Sequence, residues 1–272
     1  MTGVLALHTA ARRYCLEHHA LWWERYITIM RSGADRQPDG YHYTAEALAT
    51  FPRYNVLHAI RVELERIDPA TLADLEETRQ LLILAGQTAE DDFTRRPIGQ
   101  IDQRAVAEER EAFARYIAAL APSDLRAIEP LPFRRVLTRE ESQQVWSRFR
   151  ERWQINQGYW YPLAHCTLSD VVAFRARAFE QAVPTDRLQD ILRSHGIERV
   201  WEFRESGPEY EEDVSLFEPC YSGAEGYWSS GLLEWIVYAS HEDSVTVGGW
   251  LLKELKPLWP TWEHDAWTGP FC

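Results

Sequence analysis

The chain has 272 residues, 45% hydrophobic, 26% charged and 12% aromatic, enough apolar material for one large core or two ordinary ones, which excludes a disordered polymer. Its formal net charge is −13, from 29 basic and 42 acidic residues, and binding a phosphate backbone relies on many Lys and Arg, so direct nucleic-acid binding is not expected. The longest apolar run, Leu81-Leu82-Ile83-Leu84-Ala85, is far below the ~18 residues a membrane-spanning helix needs, and no basic stretch precedes the first apolar residues, so neither a membrane segment nor a signal peptide is expected.

In chain order, Thr9 to Arg31 has helical spacing, with Leu16, Ala20, Trp23 and Ile27 recurring and no interior Gly or Pro. Ser32-Gly33 and Gln37-Pro38-Asp39-Gly40 read as a loop. Thr44 caps a second helix, expected to break at Pro52 and resume through Val56, Ile60, Leu64 and Ile67. Asp68-Pro69 opens a third, carrying Leu75, Leu82 and Ile83, and Gln103 to Leu120 shows Val106, Phe113 and Ile117 on one face of a fourth. Pro122, Pro130 and Pro132 then mark a boundary between a helical region, 1–128, and an α+β region, 129–272.

Thr138-Arg139-Glu140-Glu141 is a capping box opening a helix through Val145, Phe149 and Trp153, and Pro184 to His195 is a short helix stopped by Gly196. Strand-like runs follow at Glu198 to Phe203, Asp213 to Phe217, Leu232 to Tyr238 and Ser244 to Val247, and Trp250 to Leu255 is a closing helix ended by Pro257. The expected fold is α+β: a helical N-terminal half, a mixed segment, and a C-terminal antiparallel sheet with its helices on one side.

Charge is uneven. Residues 1–195 carry 25 basic against 27 acidic residues, whereas 196–272 carry 4 against 15, a net of −11, together with seven of the twelve tryptophans. An acidic field steers encounter with basic proteins, and Trp and Tyr often anchor interfaces. This predicts a surface for a basic protein partner, with Glu209, Glu211, Glu212 and Asp213 as a flexible acidic run and Tyr227 and Trp228 as aromatic contacts.

Chemistry-bearing residues are few. His8, Cys15 and His19 share one helical face, with His18 beside them, but one straight helix rarely supplies three tetrahedral ligands, so no metal and no cofactor is expected. Gly-rich phosphate cradles are missing from the sequence. His165-Cys166 suggests a thiol nucleophile, although catalytic Cys and His normally meet in space from distant positions. Gly158-Tyr159-Trp160-Tyr161-Pro162, with Tyr221, could line a pocket. His241-Glu242-Asp243 is the densest set of proton-transfer groups: at the end of a buried strand His241 could be a general base with Glu242 as its orienter. The four cysteines, Cys15, Cys166, Cys220 and Cys272, show no C-x-x-C spacing, which fits reduced thiols and a cytoplasmic location, and the 27 arginines against two lysines fit a GC-rich bacterial genome.

The stretch Gly226-Tyr227-Trp228-Ser229-Ser230-Gly231-Leu232-Leu233-Glu234-Trp235-Ile236-Val237-Tyr238-Ala239-Ser240-His241-Glu242, continuing through Gly248-Gly249-Trp250-Leu251 to Leu258-Trp259-Pro260, resembles the tail of bacterial proteins of the polymorphic-toxin immunity type. The resemblance covers the last quarter of the chain and assigns no residue roles. It implies a cytosolic immunity or antitoxin-like factor that neutralises a toxin by binding it. The other expectation is an enzyme, a hydrolase or transferase acting on a small polar substrate through His241.

Overall fold

The computed structural model describes residues 3–33, 36–37, 40–41, 43–96, 99–155, 160, 167–267 and 269. The chain divides into two compact units, Met1–Leu131 and Pro132–Cys272. Among the described residues no helix is long and apolar enough to cross a membrane.

The first unit is built on four long helices, α1 (Gly3–Arg31), α2 (Ala45–Glu65), α3 (Leu75–Thr88) and α4 (Gln100–Ala119). The starts of α2 and α3 follow from side-chain caps: Thr44 Oγ1 accepts from Ala47 N at 3.1 Å, and Asp74 from Glu77 N at 2.8 Å. Leu7, Ala11 and Cys15 of α1 meet Val56, Leu57, Ile60 and Leu64 of α2, with Leu82, Phe113 and Ile117 completing the core. The repeat at Leu16, Ala20, Trp23 and Ile27 lies outside that core, and Trp23 is 44% exposed. Pro52 does not break α2. Proline removes one helical hydrogen bond, but buried Ala47 and Phe51 before it and Val56 and Leu57 after it hold both flanks in register.

The second unit contains β1 (Arg134–Val136), α5 (Arg139–Trp153), β2 (Val171–Arg175), α6 (Ala176–Ala182), α7 (Thr185–Ser194), β3 (Arg199–Arg204), β4 (Tyr210–Asp213), β5 (Gly226–Ser229), β6 (Trp235–Ser240), β7 (Ser244–Gly249) and α8 (Trp250–Leu258). Among the described residues the strands form one seven-stranded sheet in the order β1-β4-β3-β5-β6-β7-β2, every pairing antiparallel. The fold is therefore α+β. The capping box opening α5 is present, Thr138 Oγ1 accepting from Glu141 N at 3.2 Å and Glu141 Oε2 from Thr138 N at 2.9 Å.

Helices cover both faces of this sheet, not one as the sequence suggested. Trp235, Val237, Ala239, Val245 and Val247 pack under α6, α7 and α8, whereas Phe203, Tyr227, Ile236 and Tyr238 pack under Phe149 and Trp153 of α5. Double coverage explains why Trp235-Ile236-Val237-Tyr238-Ala239 is apolar at every position: alternate side chains enter two different cores. It also explains Gly248, where a Cβ would lie 2.8 Å from Ile236 Cγ2 and 2.9 Å from Trp153 Cζ3.

Two strand boundaries differ from expectation. Strand Asp213 to Phe217 is instead β4 followed by a 3₁₀ turn, because the Asp213 carboxylate accepts from Ser215 N at 2.8 Å and closes the turn. The run from Leu232 becomes strand only at Trp235, since Leu233 sits at φ 54° in a turn that leaves Leu232 76% exposed.

Candidate functional site

The richest polar constellation lies where β6 ends and β5 and β7 begin. Ser240 pairs with Ser244 across the β6–β7 hairpin, so His241, Glu242 and Asp243 form a three-residue turn, with Asp243 at φ 55° as such loops require. Three bonds pin it: Ser240 Oγ accepts from Glu242 N at 3.0 Å, Asp243 O from Ala176 N at 2.9 Å, and Glu242 O from Trp267 Nε1 at 3.2 Å. The turn is thus a fixed platform for His241, whose side chain is 61% exposed.

Glu225 holds the imidazole. Gly226 is registered opposite Ala239, which puts Glu225 beside the end of β6. Its carboxylate is 3% exposed at the residue level, accepts the hydroxyl of buried Tyr238 on Oε2, and lies 2.5 Å from His241 Nδ1 on Oε1. The ring's other nitrogen, Nε2, is 3.3 Å from Glu242 Oε1. Tyr227 stacks on Tyr238 at 4.5 Å between centroids. Burial first, and the neighbouring Glu225 second, push the Tyr227 phenol up; burial followed by Tyr227 and Glu225 do the same to Tyr238. Both phenols therefore stay protonated near neutrality, and Tyr238 donates to Glu225.

His241 borders a cavity of about 220 Å³ lined also by Glu180, Cys220, Tyr221, Ser240, Asp243 and Ser244. The Cys220 thiol is pushed up, by burial first and then by Glu218, so it is no ready thiolate. The sequence expected Glu242 to orient His241. The shorter contact is with Glu225, just before β5, on Nδ1 at 2.5 Å, a residue the sequence reading missed. Glu242 flanks the opposite nitrogen.

The acidic run is not a flexible arm. Glu211, Glu212 and Asp213 lie in β4, with Glu209 just before it. Glu209 accepts from Ser142 Oγ and from Trp146 Nε1, both at 2.6 Å. Arg135 reaches Glu211 at 2.9 Å and Arg199 lies 3.6 Å from it, while Arg134 lies 3.4 Å from buried Glu212. Arg135 also holds Glu141, lowering that carboxyl to about 2 with help from the Thr138 backbone. Glu211 and Glu212 face arginines of the neighbouring strands, Glu209 is held by α5 and Asp213 closes the following turn, so the four residues do not form an open negative face. Tyr227 and Trp228, expected as contacts, are 0% and 1% exposed, since adjacent residues of β5 enter opposite cores. Of the seven C-terminal tryptophans, Trp228, Trp235 and Trp259 are buried and the other four are half-buried.

Glu209 does line a separate cleft of about 480 Å³ with Trp146, Arg150, Arg204 and Glu205. In the first unit the sequence's metal-like set is spent on other contacts. His8 Nε2 lies 2.9 Å from Leu64 O, Cys15 is fully buried, His18 stacks on Tyr14 at 3.9 Å, and His19 meets Tyr54 edge-on. Burial lowers His8 and His19 and raises the Cys15 thiol. No group of three or more potential ligands occurs among the described residues. His165-Cys166, Gly158-Tyr159 and Tyr161-Pro162 lie outside the described residues, whereas Trp160 is buried beside Tyr238. No family model matches the chain, and no curated protein or solved structure matches it either.

Proposed function

We propose that the Pro132–Cys272 unit is an enzyme of the hydrolase or transferase type that acts on a small polar substrate with His241 as general base. The observation that carries this reading is the 2.5 Å contact between His241 Nδ1 and the buried Glu225 carboxylate at the edge of a cavity. A carboxylate fixed on Nδ1 favours the Nδ1–H tautomer and leaves the Nε2 lone pair to take a proton. His241 Nε2 takes that proton from a water or substrate hydroxyl as its oxygen attacks an electrophilic carbon or phosphorus, and returns it to the departing group. Glu225 and Glu242 steady the imidazolium in between. A general base contributes about 10²–10⁴-fold, so turnover of activated esters by the intact protein should fall by that factor in His241→Ala. Equal rates in the two proteins would overturn the assignment.

A second reading, an immunity or antitoxin-like factor occluding a basic protein, draws on a different observation. Glu198, Glu205, Glu218, Glu234, Glu254 and Glu263 are exposed, against exposed Arg199 and Lys253 in the same segment. Those carboxylates, not Glu209 to Asp213, would meet the partner. Capture of a basic partner from the native host at low salt should be lost when Glu198, Glu205, Glu218 and Glu234 are reversed together; recovery in equal yield would contradict it.

A further inference from the structure

Buried carboxylates in this chain follow a pattern that Glu225 breaks. Five glutamates are buried among the described residues: Glu65, Glu109, Glu202, Glu212 and Glu225. Four of them face an arginine. Glu65 meets Arg12 at 3.1 Å, Glu109 meets Arg53 at 3.2 Å, and Glu202 and Glu212 meet Arg134 at 2.8 and 3.4 Å. Among the described residues neither an arginine nor a lysine pairs with Glu225, whose two oxygens go to the Tyr238 hydroxyl and to His241 Nδ1. A guanidinium is always charged and would neutralise the carboxylate permanently. A phenol donates one hydrogen bond and brings no charge, so it fixes Oε2 and leaves the negative charge to act on the imidazole. Tyr238 is itself held firmly. It is 1% exposed, stacks on Tyr227 at 4.5 Å with Trp160 6.1 Å away, and sits in β6 with its register fixed opposite Tyr227 of β5 and Thr246 of β7.

From this contrast we infer that Tyr238 is the positioning residue of the His241 base: its hydroxyl anchors one oxygen of Glu225 so that the other stays on Nδ1. The inference rests on the general-base reading, because a positioning role needs a base to position. Tyr238 is not among the residues lining the cavity, so it acts only through Glu225. The last torsion of a glutamate side chain is broad, and without the anchor the carboxylate can turn away from the imidazole. The ring then loses the fixed acceptor that keeps its proton on Nδ1 and its lone pair on Nε2.

Tyr238→Phe tests the inference, since it removes the hydroxyl and keeps the ring. Ester turnover should fall about 10–100-fold at unchanged KM, the range of one hydrogen bond to a charged group. Nitrogen-15 NMR should show His241 partly moved from the Nδ1–H to the Nε2–H tautomer. Gly248→Ala is the comparison: it strains the same sheet through Ile236, Trp153 and Val171 and should leave both readings as they are. An unmoved tautomer in folded Tyr238→Phe, or the same shift in Gly248→Ala, would overturn the inference. A second measurement needs no variant. In the intact protein the Tyr238 hydroxyl proton should exchange slowly, and one exchanging as fast as that of exposed Tyr221 would contradict the anchor. The general-base reading fails separately: equal ester turnover in His241→Ala and the intact protein removes it, and the tautomer still tells whether Tyr238 sets the ring. Turnover lost in His241→Ala with no tautomer shift in Tyr238→Phe removes the positioning role alone.

Discussion

Replacing Glu225 by glutamine changes one atom in a buried hydrogen-bonded chain and leaves its shape intact. Glu225 accepts from Tyr238 on Oε2 and holds His241 Nδ1 on Oε1 at 2.5 Å. In Glu225→Gln the amide oxygen can still accept from Tyr238, but the amide NH₂ now faces Nδ1. Only the Nε2–H tautomer satisfies both, so every buried group keeps a partner. Two charge-assisted bonds are exchanged for neutral ones, which costs about 2 kcal/mol, each exchange being the difference between bonds worth about 1.5–3 and about 0.5–1.5 kcal/mol. The catalytic effect is much larger, because a protonated Nε2 cannot accept a proton, and ester turnover should fall about 10²–10⁴-fold. Urea unfolding and ester hydrolysis on the same preparation separate the two effects. Unchanged turnover would refute the reasoning; so would a stability loss above about 3 kcal/mol, the cost expected if a buried donor were left unpaired.

Other outcomes follow from the same geometry. Gly248→Ala should destabilise the second unit by about 1–3 kcal/mol in thermal melts, since its methyl would press on Ile236, Trp153 and Val171. Arg12 and Glu65 form a buried pair at 3.1 Å, so Arg12→Met, which removes the guanidinium from a buried carboxylate, should cost about 3–5 kcal/mol in urea unfolding. Glu141 is depressed from 4.5 to about 2 by Arg135, so its contribution is present above pH 4.5 and is lost as pH falls toward 2; melts over that window should flatten in Glu141→Gln and in high salt. His8 is lowered below 6.5 chiefly by burial, so the unfolded chain binds its proton more readily and stability declines as pH drops below 6.5, a decline that His8→Gln should reduce.

How legible these features were depended on the range of the interaction involved. The helices opened by Thr44 and Thr138 were readable because these caps act on residues three positions away, whereas Asp68-Pro69 opens only a 3₁₀ turn and the third helix starts later, capped by Asp74. The strands Val171–Arg175 and Gly226–Ser229 were not recognised, since each is short and buried among partners distant in sequence. The unbroken apolar pattern of Trp235 to Ala239 announced burial but not that it occurs on two faces. The acidic count near the C-terminus was correct, yet composition cannot show that Arg134 and Arg135 answer Glu212 and Glu211 across β1 and β4. His241 was visible as a concentration of polar groups, while Glu225 and Tyr238 became visible only through hairpin register, which places Gly226 opposite Ala239.

Nitrogen-15 NMR of histidine-labelled protein reads the state of the His241 ring without any substrate. With Glu225 bound to Nδ1, neutral His241 should carry its proton on Nδ1 in the intact protein and move it to Nε2 in Glu225→Gln. A ring that populates both tautomers as freely as an unstructured peptide, and is indifferent to that substitution, would contradict the account.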